Sequence, residues 1–385
     1  PAGLTAAHLL SLRGYKVTVF EELSEAGGML CWAIPAYRLP RAVIEKEIDS
    51  IRALGVEIKC RTHVGKDIPF GKIDADFDYI YLATGAHKSQ KMGVPGEELE
   101  GVYGGVEFLR DFNAQESAWT KGEKTLGSKV AVIGGGNSAI DAARCATRLG
   151  AEVTLLYRRE RRDMPAAVEE IMAAEEEGIR IEFLVAPVTI TGKNGRVSGI
   201  VCRRMMLGAF DRSGRKKPVP IEDSEFTLTV DAVIAAIGQV PDITFVPEES
   251  GVLINKRNCF DLAKGSASQT TNPKFYAGGD AVTGPDTVIG AIAAGHQAAM
   301  DIDSAIRRRN GEAIWEAPVE EKITVPFVLD EENPEAPQTR MPELYDLTLS
   351  NVEQVLARRG RVIIVAEAGD DRVAGLGPKG QQPEQ

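Results

Sequence analysis

The stretch Lys129-Val130-Ala131-Val132-Ile133-Gly134-Gly135-Gly136-Asn137-Ser138-Ala139-Ile140-Asp141 decides the fold. Its apolar run, Val130 to Ile133, has the length of a buried parallel strand, and Gly134-x-Gly136-x-x-Ala139 follows at once as a helix opens at Asn137 and runs to Leu149. In such a unit the first glycine permits a tight turn, the second lets the backbone approach a pyrophosphate, and a small third residue keeps the helix close to the sheet. Unpaired N–H groups at the helix start then face the anion. Gly134, Gly136, Asn137, Ser138 and Ala139 are therefore candidate nucleotide contacts, and none needs a charged side chain.

The next strand indicates which nucleotide. It runs from Glu152 to Tyr157 and ends in Tyr157-Arg158-Arg159, where an NAD site usually carries Asp or Glu, about 20 residues past the glycines. A carboxylate would repel a 2′-phosphate, whereas a guanidinium binds one through paired hydrogen bonds, so Arg158 and Arg159 point to NADP(H). Arg161 and Arg162 add to the positive field. The competing reading is a solvated turn in which the arginines are balanced by Glu160 and Asp163, and the motif before them weighs against it.

With 385 residues the chain can bury a large core and is expected to form two or three domains. A net charge of −11 argues against general binding to nucleic acid or to an anionic membrane. No apolar run reaches the ~18 residues of a membrane-crossing helix and no leader-like pattern opens the sequence, so a cytoplasmic location is expected. The cysteines Cys31, Cys60, Cys145, Cys202 and Cys259 form no C-x-x-C pair. Their scatter argues against a metal or cluster site within the chain and against electron transfer through a disulfide.

The sequence begins Pro1-Ala2-Gly3-Leu4, continues as a helix to Arg13, and reaches a strand, 16–20, that ends in Glu21-Glu22. This is the form of a dinucleotide unit entered after its first strand, with Glu21 placed for ribose hydroxyls; the sequence is expected to be a fragment. Residues 24–40 form a loop punctuated by glycine and proline, in which Gly27-Gly28 can admit a flat ligand. Arg38 there is either a phosphate or flavin contact or a purely structural residue. A helix at 42–54 and strands at 56–60 and 79–83 follow, the last ending in Thr84-Gly85. His63 and His87 are assigned no chemistry, since a lone imidazole is more often exposed or satisfied in a core. Residues 89–124, with a short helix at 106–113, read as the crossing into a second domain.

After the arginines come a helix at 166–177 with an acidic face and strands at 180–185, 197–206 and 226–228, which suggest a small antiparallel extension. The basic turn Asp-Arg-Ser-Gly-Arg-Lys-Lys-Pro, 211–218, reads as a hairpin loop. A strand at 230–237 ends in Gly238-Gln239, which is similar to Ala83-Thr84-Gly85-Ala86 and suggests a second crossing. Gly278-Gly279-Asp280 then precedes a small-residue helix beginning near Thr287; Asp280 can accept hydrogen bonds from ribityl hydroxyls, and the helix start offers N–H groups to an electron-rich flavin edge. From Ile314 the composition turns to linker and tail, with 361–365 a possible strand.

Taken together, Pro1-Ala2-Gly3, Gly27-Gly28 with Ile34-Pro35 and Arg38-Leu39-Pro40, Ala83-Thr84-Gly85, Gly134 to Ala139, Tyr157-Arg158-Arg159 with Met164-Pro165, and Gly278-Gly279-Asp280 resemble one family over residues 1 to about 310. It is that of the flavoproteins with two dinucleotide domains that include the small subunit of NADPH-dependent glutamate synthase. The N-terminal half of dihydropyrimidine dehydrogenase and the NADP–ferredoxin transhydrogenases share the module. The resemblance implies an α/β fold of two Rossmann-like dinucleotide-binding domains, the NADPH domain inserted into the FAD domain. The implied parts are 1–121 and 246–312 for FAD, 122–245 for NADPH, and 313–385 as a tail. It also implies that Ala2 and Gly3 meet the FAD pyrophosphate, Glu21 the adenosine ribose, and Gly28, Met29 and Arg38 the length of FAD. Asp280 would hold the ribityl chain after Gly279, with Thr287 near the flavin ring. Thr84, Gly85 and Gly238 lie at the crossings, and Arg158 and Arg159 would meet the NADPH 2′-phosphate. Ala33 departs from the pattern, which has glycine before Ile-Pro. Thr339 to Leu344 weakly resembles a linker to cluster-bearing segments in related proteins.

The expected activity is hydride exchange between NADPH and FAD, with electrons passed on to an iron–sulfur centre in a partner subunit, an upstream domain or ferredoxin. No side chain is assigned a catalytic role. A stand-alone reductase for ferredoxin or a small acceptor, or a subunit that binds FAD without catalysis, are the alternatives.

Overall fold

The computed structural model describes residues 1–314, except 116, 117, 120 and 211–214. The 339–344 stretch and the expected strand at 361–365 lie outside the described residues.

The decisive stretch forms the middle of a five-stranded parallel sheet. Its spatial order is Val102–Gly104, Ala232–Ala235, Lys129–Ile133, Glu152–Tyr157 and Arg180–Phe183. Val130, Val132, Leu155 and Ile234 are buried, as expected of strands covered on both faces. The helix Asn137–Arg148 covers one face with Ala139, Ile140, Ala142, Ala143 and Ala146, all fully buried. Small side chains allow this close approach. The carboxyl ends of the central strands, where the chain order reverses, define the place at which such sheets take ligands.

The sheet corrects the first expected boundary, 121. Val233 pairs with Val102, and Phe108, Leu109 and Phe112 of the helix Gly105–Ala114 join the same core. The chain has therefore entered this domain by Val102. A strand of three residues among glycines is too short to show as an apolar run.

The other domain contains two parallel pairs, Thr18–Phe20 with Glu57–Lys59 and Phe275–Ala277 with Ile80–Leu82. The helices Ala2–Leu12 and Val288–Asn310 pack together over Ala6, Leu10, Ala299 and Ile302. They pass closely at Gly295, where a Cβ would lie 2.3 Å from the Ala2 carbonyl oxygen.

The two crossings form one ribbon. Lys88–Ser89 pairs antiparallel with Gln239–Val240, the Gln90 N–H donates to the Gly238 carbonyl at 2.9 Å, and Lys88 meets Asp242 at 2.7 Å. The antiparallel extension is larger than expected. Arg180–Phe183 belongs to the parallel sheet, Leu184 turns the chain at φ 56°, and Val185–Lys193, Arg196–Phe210 and Lys216–Leu228 form a separate three-stranded sheet.

Candidate functional site

At the nucleotide-domain turn, Gly134 has φ 145°, and a Cβ there would lie 2.2 Å from the Ala236 carbonyl oxygen and 3.0 Å from the Ala139 Cβ. Gly135, passed over in the sequence pattern, is equally constrained: a Cβ would enter the Tyr157 ring at 2.4 Å. Gly136 has an ordinary φ of −91°, and a Cβ there would find nothing nearer than Pro165 at 3.9 Å. Two glycines thus shape the turn and the third leaves its mouth open.

The segment after the arginines closes over this turn. The Ala166 N–H donates to the Gly135 carbonyl at 3.1 Å, and the Ala167 N–H donates to Asn137 Oδ1 at 3.0 Å. The Tyr157 hydroxyl donates to the Asp163 carbonyl at 2.6 Å. Ser138 Oγ accepts from Gln239 Nε2 at 3.1 Å, linking the turn to the crossing ribbon. Arg158 and Arg159 diverge. Arg158 is exposed, whereas Arg159 is buried and its Nε donates to the Lys216 carbonyl at 3.1 Å. Arg161 pairs with Glu175, and Arg162 with Glu160 at 2.8 Å.

In the other domain the expected residues converge from separate parts of the chain. A Cβ at Gly3 would lie 3.3 Å from the Ala83 Cβ, and one at Gly279 would lie 3.1 Å from the Ala2 Cβ. Gly28 has φ 58°, with Pro1 and His87 as its nearest neighbours, and Gly85 lies against the His87 ring. Glu21 Oε1 accepts the Leu23 N–H at 2.9 Å, and burial raises its carboxyl above the usual range. Asp280 accepts the Asp286 N–H at 3.3 Å, and burial pushes its carboxyl up to about 6. Thr287 caps the long helix by accepting the Gly290 N–H at 3.1 Å, while Thr84 is exposed beside the cradle. His87 is the residue that sequence reasoning set aside. Burial lowers its imidazole to about 4, aided by Arg110, so it is neutral at pH 7. Its place just after Ala83-Thr84-Gly85 was the available signal.

Met29 and Arg38 turn toward the nucleotide domain. Met29 packs against its core, and Ala33 is part of that core. Arg38 reaches both carboxylate oxygens of buried Asp141 at 2.8 and 2.9 Å, and its Nε meets Glu170 at 2.9 Å. Of the two expectations for Arg38, the structural one describes this arrangement. Tyr37 lies under the guanidinium groups of Arg148 at 4.0 Å and Arg144 at 5.0 Å, and Asn113 Nδ2 donates to the Trp32 carbonyl at 3.2 Å. Residues 29–41 thus strap one domain to the other.

The donor set suits two dinucleotides: closely converging glycines and a carboxylate near each polar end at the first cradle, and open backbone at Gly136 with an exposed arginine at the second. This architecture is that of the oxidoreductases with paired dinucleotide domains. The chain belongs to the pyridine nucleotide-disulphide oxidoreductase family, whose profile matches residues 1–295, and FAD and NADP(H) are the cofactors of that fold class. It is 46% identical over 312 residues to the NADP(+)-dependent formate dehydrogenase subunit beta of Moorella thermoacetica, covering 80% of this chain and 43% of that one. It is 36% identical over 311 residues to the glutamate synthase [NADPH] small chain of Escherichia coli, covering 78% and 66%. Among solved structures it resembles Mycobacterium tuberculosis FprA in complex with NADPH, with TM-score 0.66 and 18% identity over 82% of this chain and 85% of that one. The chain spans about half the length of the first of these relatives. Among the described residues no helix is long and apolar enough to cross a membrane.

Proposed function

We propose that this chain is an electron-input module that takes hydride from NADPH. The observation that carries the reading is a glycine-built turn at 134–136 on one domain and the convergence of Gly3, Gly28 and Gly279 on the other, with the two domains joined by one two-stranded ribbon. The cofactors supply hydride transfer from nicotinamide to flavin and release of electrons singly to an iron–sulfur centre. The chain's own work is binding and orientation. Gly136, Asn137 and Ser138 present backbone N–H groups to the NADPH pyrophosphate, Ala139, whose N–H donates to the Gly136 carbonyl at 2.9 Å, keeps the helix close to the turn, and Arg158 meets the 2′-phosphate. Ala2, Gly3, Gly28 and Gly279 admit the FAD backbone, with Glu21 and Asp280 accepting sugar and ribityl hydroxyls. His87 presents a neutral imidazole to the cradle, and the strap at 29–41 holds the two domains in register.

The acceptor we infer is an iron–sulfur subunit, an iron–sulfur domain elsewhere in the full-length protein, or ferredoxin, and the location we infer is cytoplasmic. Names of relatives as beta subunits and as a small chain support a partner of this kind. The test is anaerobic stopped-flow absorbance of the full-length flavin-loaded protein mixed separately with NADPH and NADH. Rapid bleaching with preference for NADPH is expected. Bound flavin that neither nucleotide reduces would move the chain to a non-catalytic FAD-binding subunit.

A further inference from the structure

The basic turn at 211–218 has no part in the electron path above, yet its described end stands beside the Tyr157–Arg159 strand end. Phe210 pairs with Lys216 as the last register pair between the two long strands, so Arg215, Lys216 and Lys217 lie at the described end of that pairing. There the Lys216 carbonyl accepts from Arg159 Nε at 3.1 Å. A second tie lies further down: the Leu184 N–H donates to the Arg159 carbonyl at 3.2 Å, and the Met205 N–H donates to the Leu184 carbonyl at 2.7 Å. Arg159 is 6% exposed, a costly place for a guanidinium unless its position matters, whereas Arg158, Arg215 and Lys217 are all exposed. Arg215 is close enough for its charge, after that of Arg159, to oppose the rise that burial gives the Tyr157 phenol. Lys217 lies on the strand Lys216–Leu228, and Arg215 stands at the bend immediately before it.

We propose that this end of the paired strands is a second, cationic wall of the 2′-phosphate site, with Arg159 as the positioning residue that holds it and Arg215 and Lys217 as the charges it delivers. The inference rests on the reading of Arg158 as the phosphate contact. It divides the two arginines of the motif: one meets the ligand and the other anchors a distant segment. A phosphomonoester carries close to two negative charges and three acceptor oxygens, so donors from two elements can engage it together.

Calorimetric titration of the full chain with 2′,5′-ADP and 5′-AMP isolates the 2′-phosphate. Arg215→Gln/Lys217→Gln should weaken 2′,5′-ADP about tenfold, a loss on the scale of one charge-assisted contact, and leave 5′-AMP unchanged. Arg159→Lys keeps the charge but loses the Nε bond. It should weaken 2′,5′-ADP in the wild-type background and add nothing once Arg215 and Lys217 are neutral. Unchanged 2′,5′-ADP affinity in the double variant would overturn the wall, and an additive loss from Arg159→Lys would overturn its anchoring role. A wild-type chain with no preference for 2′,5′-ADP would instead fail the NADP(H) reading beneath the proposal.

Discussion

At Gly134 and Gly136 the same residue type serves two purposes, and the two can be separated by substitution. Gly134→Ala places a Cβ 2.2 Å from a carbonyl oxygen at φ 145°, a conformation that costs about 1–3 kcal/mol; a lower urea midpoint should result. Gly136→Ala meets open space at an ordinary φ. It should leave the midpoint unchanged and weaken NADPH binding, because its methyl occupies the mouth through which the pyrophosphate approaches the backbone. Arg158→Gln should weaken NADPH by about tenfold while leaving NADH nearly unaffected, since only the 2′-phosphate distinguishes them. Equal losses for both nucleotides in equilibrium titrations would remove Arg158 from the phosphate site.

The strap at 29–41 and the helix Asn137–Arg148 meet through an ion pair whose energetics depend on pH. Asp141 lies against Arg38, Glu170 and Arg144, and burial pushes it up to about 6 although Arg38 opposes the shift. A raised carboxyl holds its proton more tightly in the folded chain. Its contribution to stability is therefore full at low pH and declines as the pH rises from about 4 toward 6, with Arg38 limiting the loss. Arg38→Ala leaves the Asp141 carboxylate without its main partner. At pH 7.5 the cost should be about 2–3 kcal/mol, less than the ~3–5 of a fully buried pair because the Arg38 side chain keeps a quarter of its exposure. At pH 5, with Asp141 protonated, the deficit should shrink. Urea denaturation at both values checks this, and a deficit that does not change with pH would show that the carboxylate is not its cause.

Across the whole molecule, the domains are linked covalently by the ribbon at 88–89 and 239–240 and non-covalently by the strap. Hydride transfer needs the nicotinamide and flavin held at contact distance, so loosening the strap should act on that step rather than on nucleotide affinity. Arg38→Ala is expected to slow flavin reduction by NADPH in single-turnover stopped flow while 2′,5′-ADP binds as before. An unaltered reduction rate would make the strap a stabilising contact alone.

The local pattern was enough for the glycine turn at 134–136, the arginines that follow it, and the strand and helix order around them. These features depend on spacing within about 30 residues, the length of one βαβ unit, over which backbone geometry and hydrophobic period are set locally. Tertiary structure decided the rest because it joins residues far apart in the chain. Val102 enters the second sheet by pairing with Val233, Arg38 leaves the cradle for Asp141, and Arg159 turns inward to Lys216. His87 becomes part of a site only when Gly28 and Gly85 close around it. A side chain's type is written in the sequence, but its partner is selected by packing, which places a charge where burial can be offset and a glycine where another chain segment must pass.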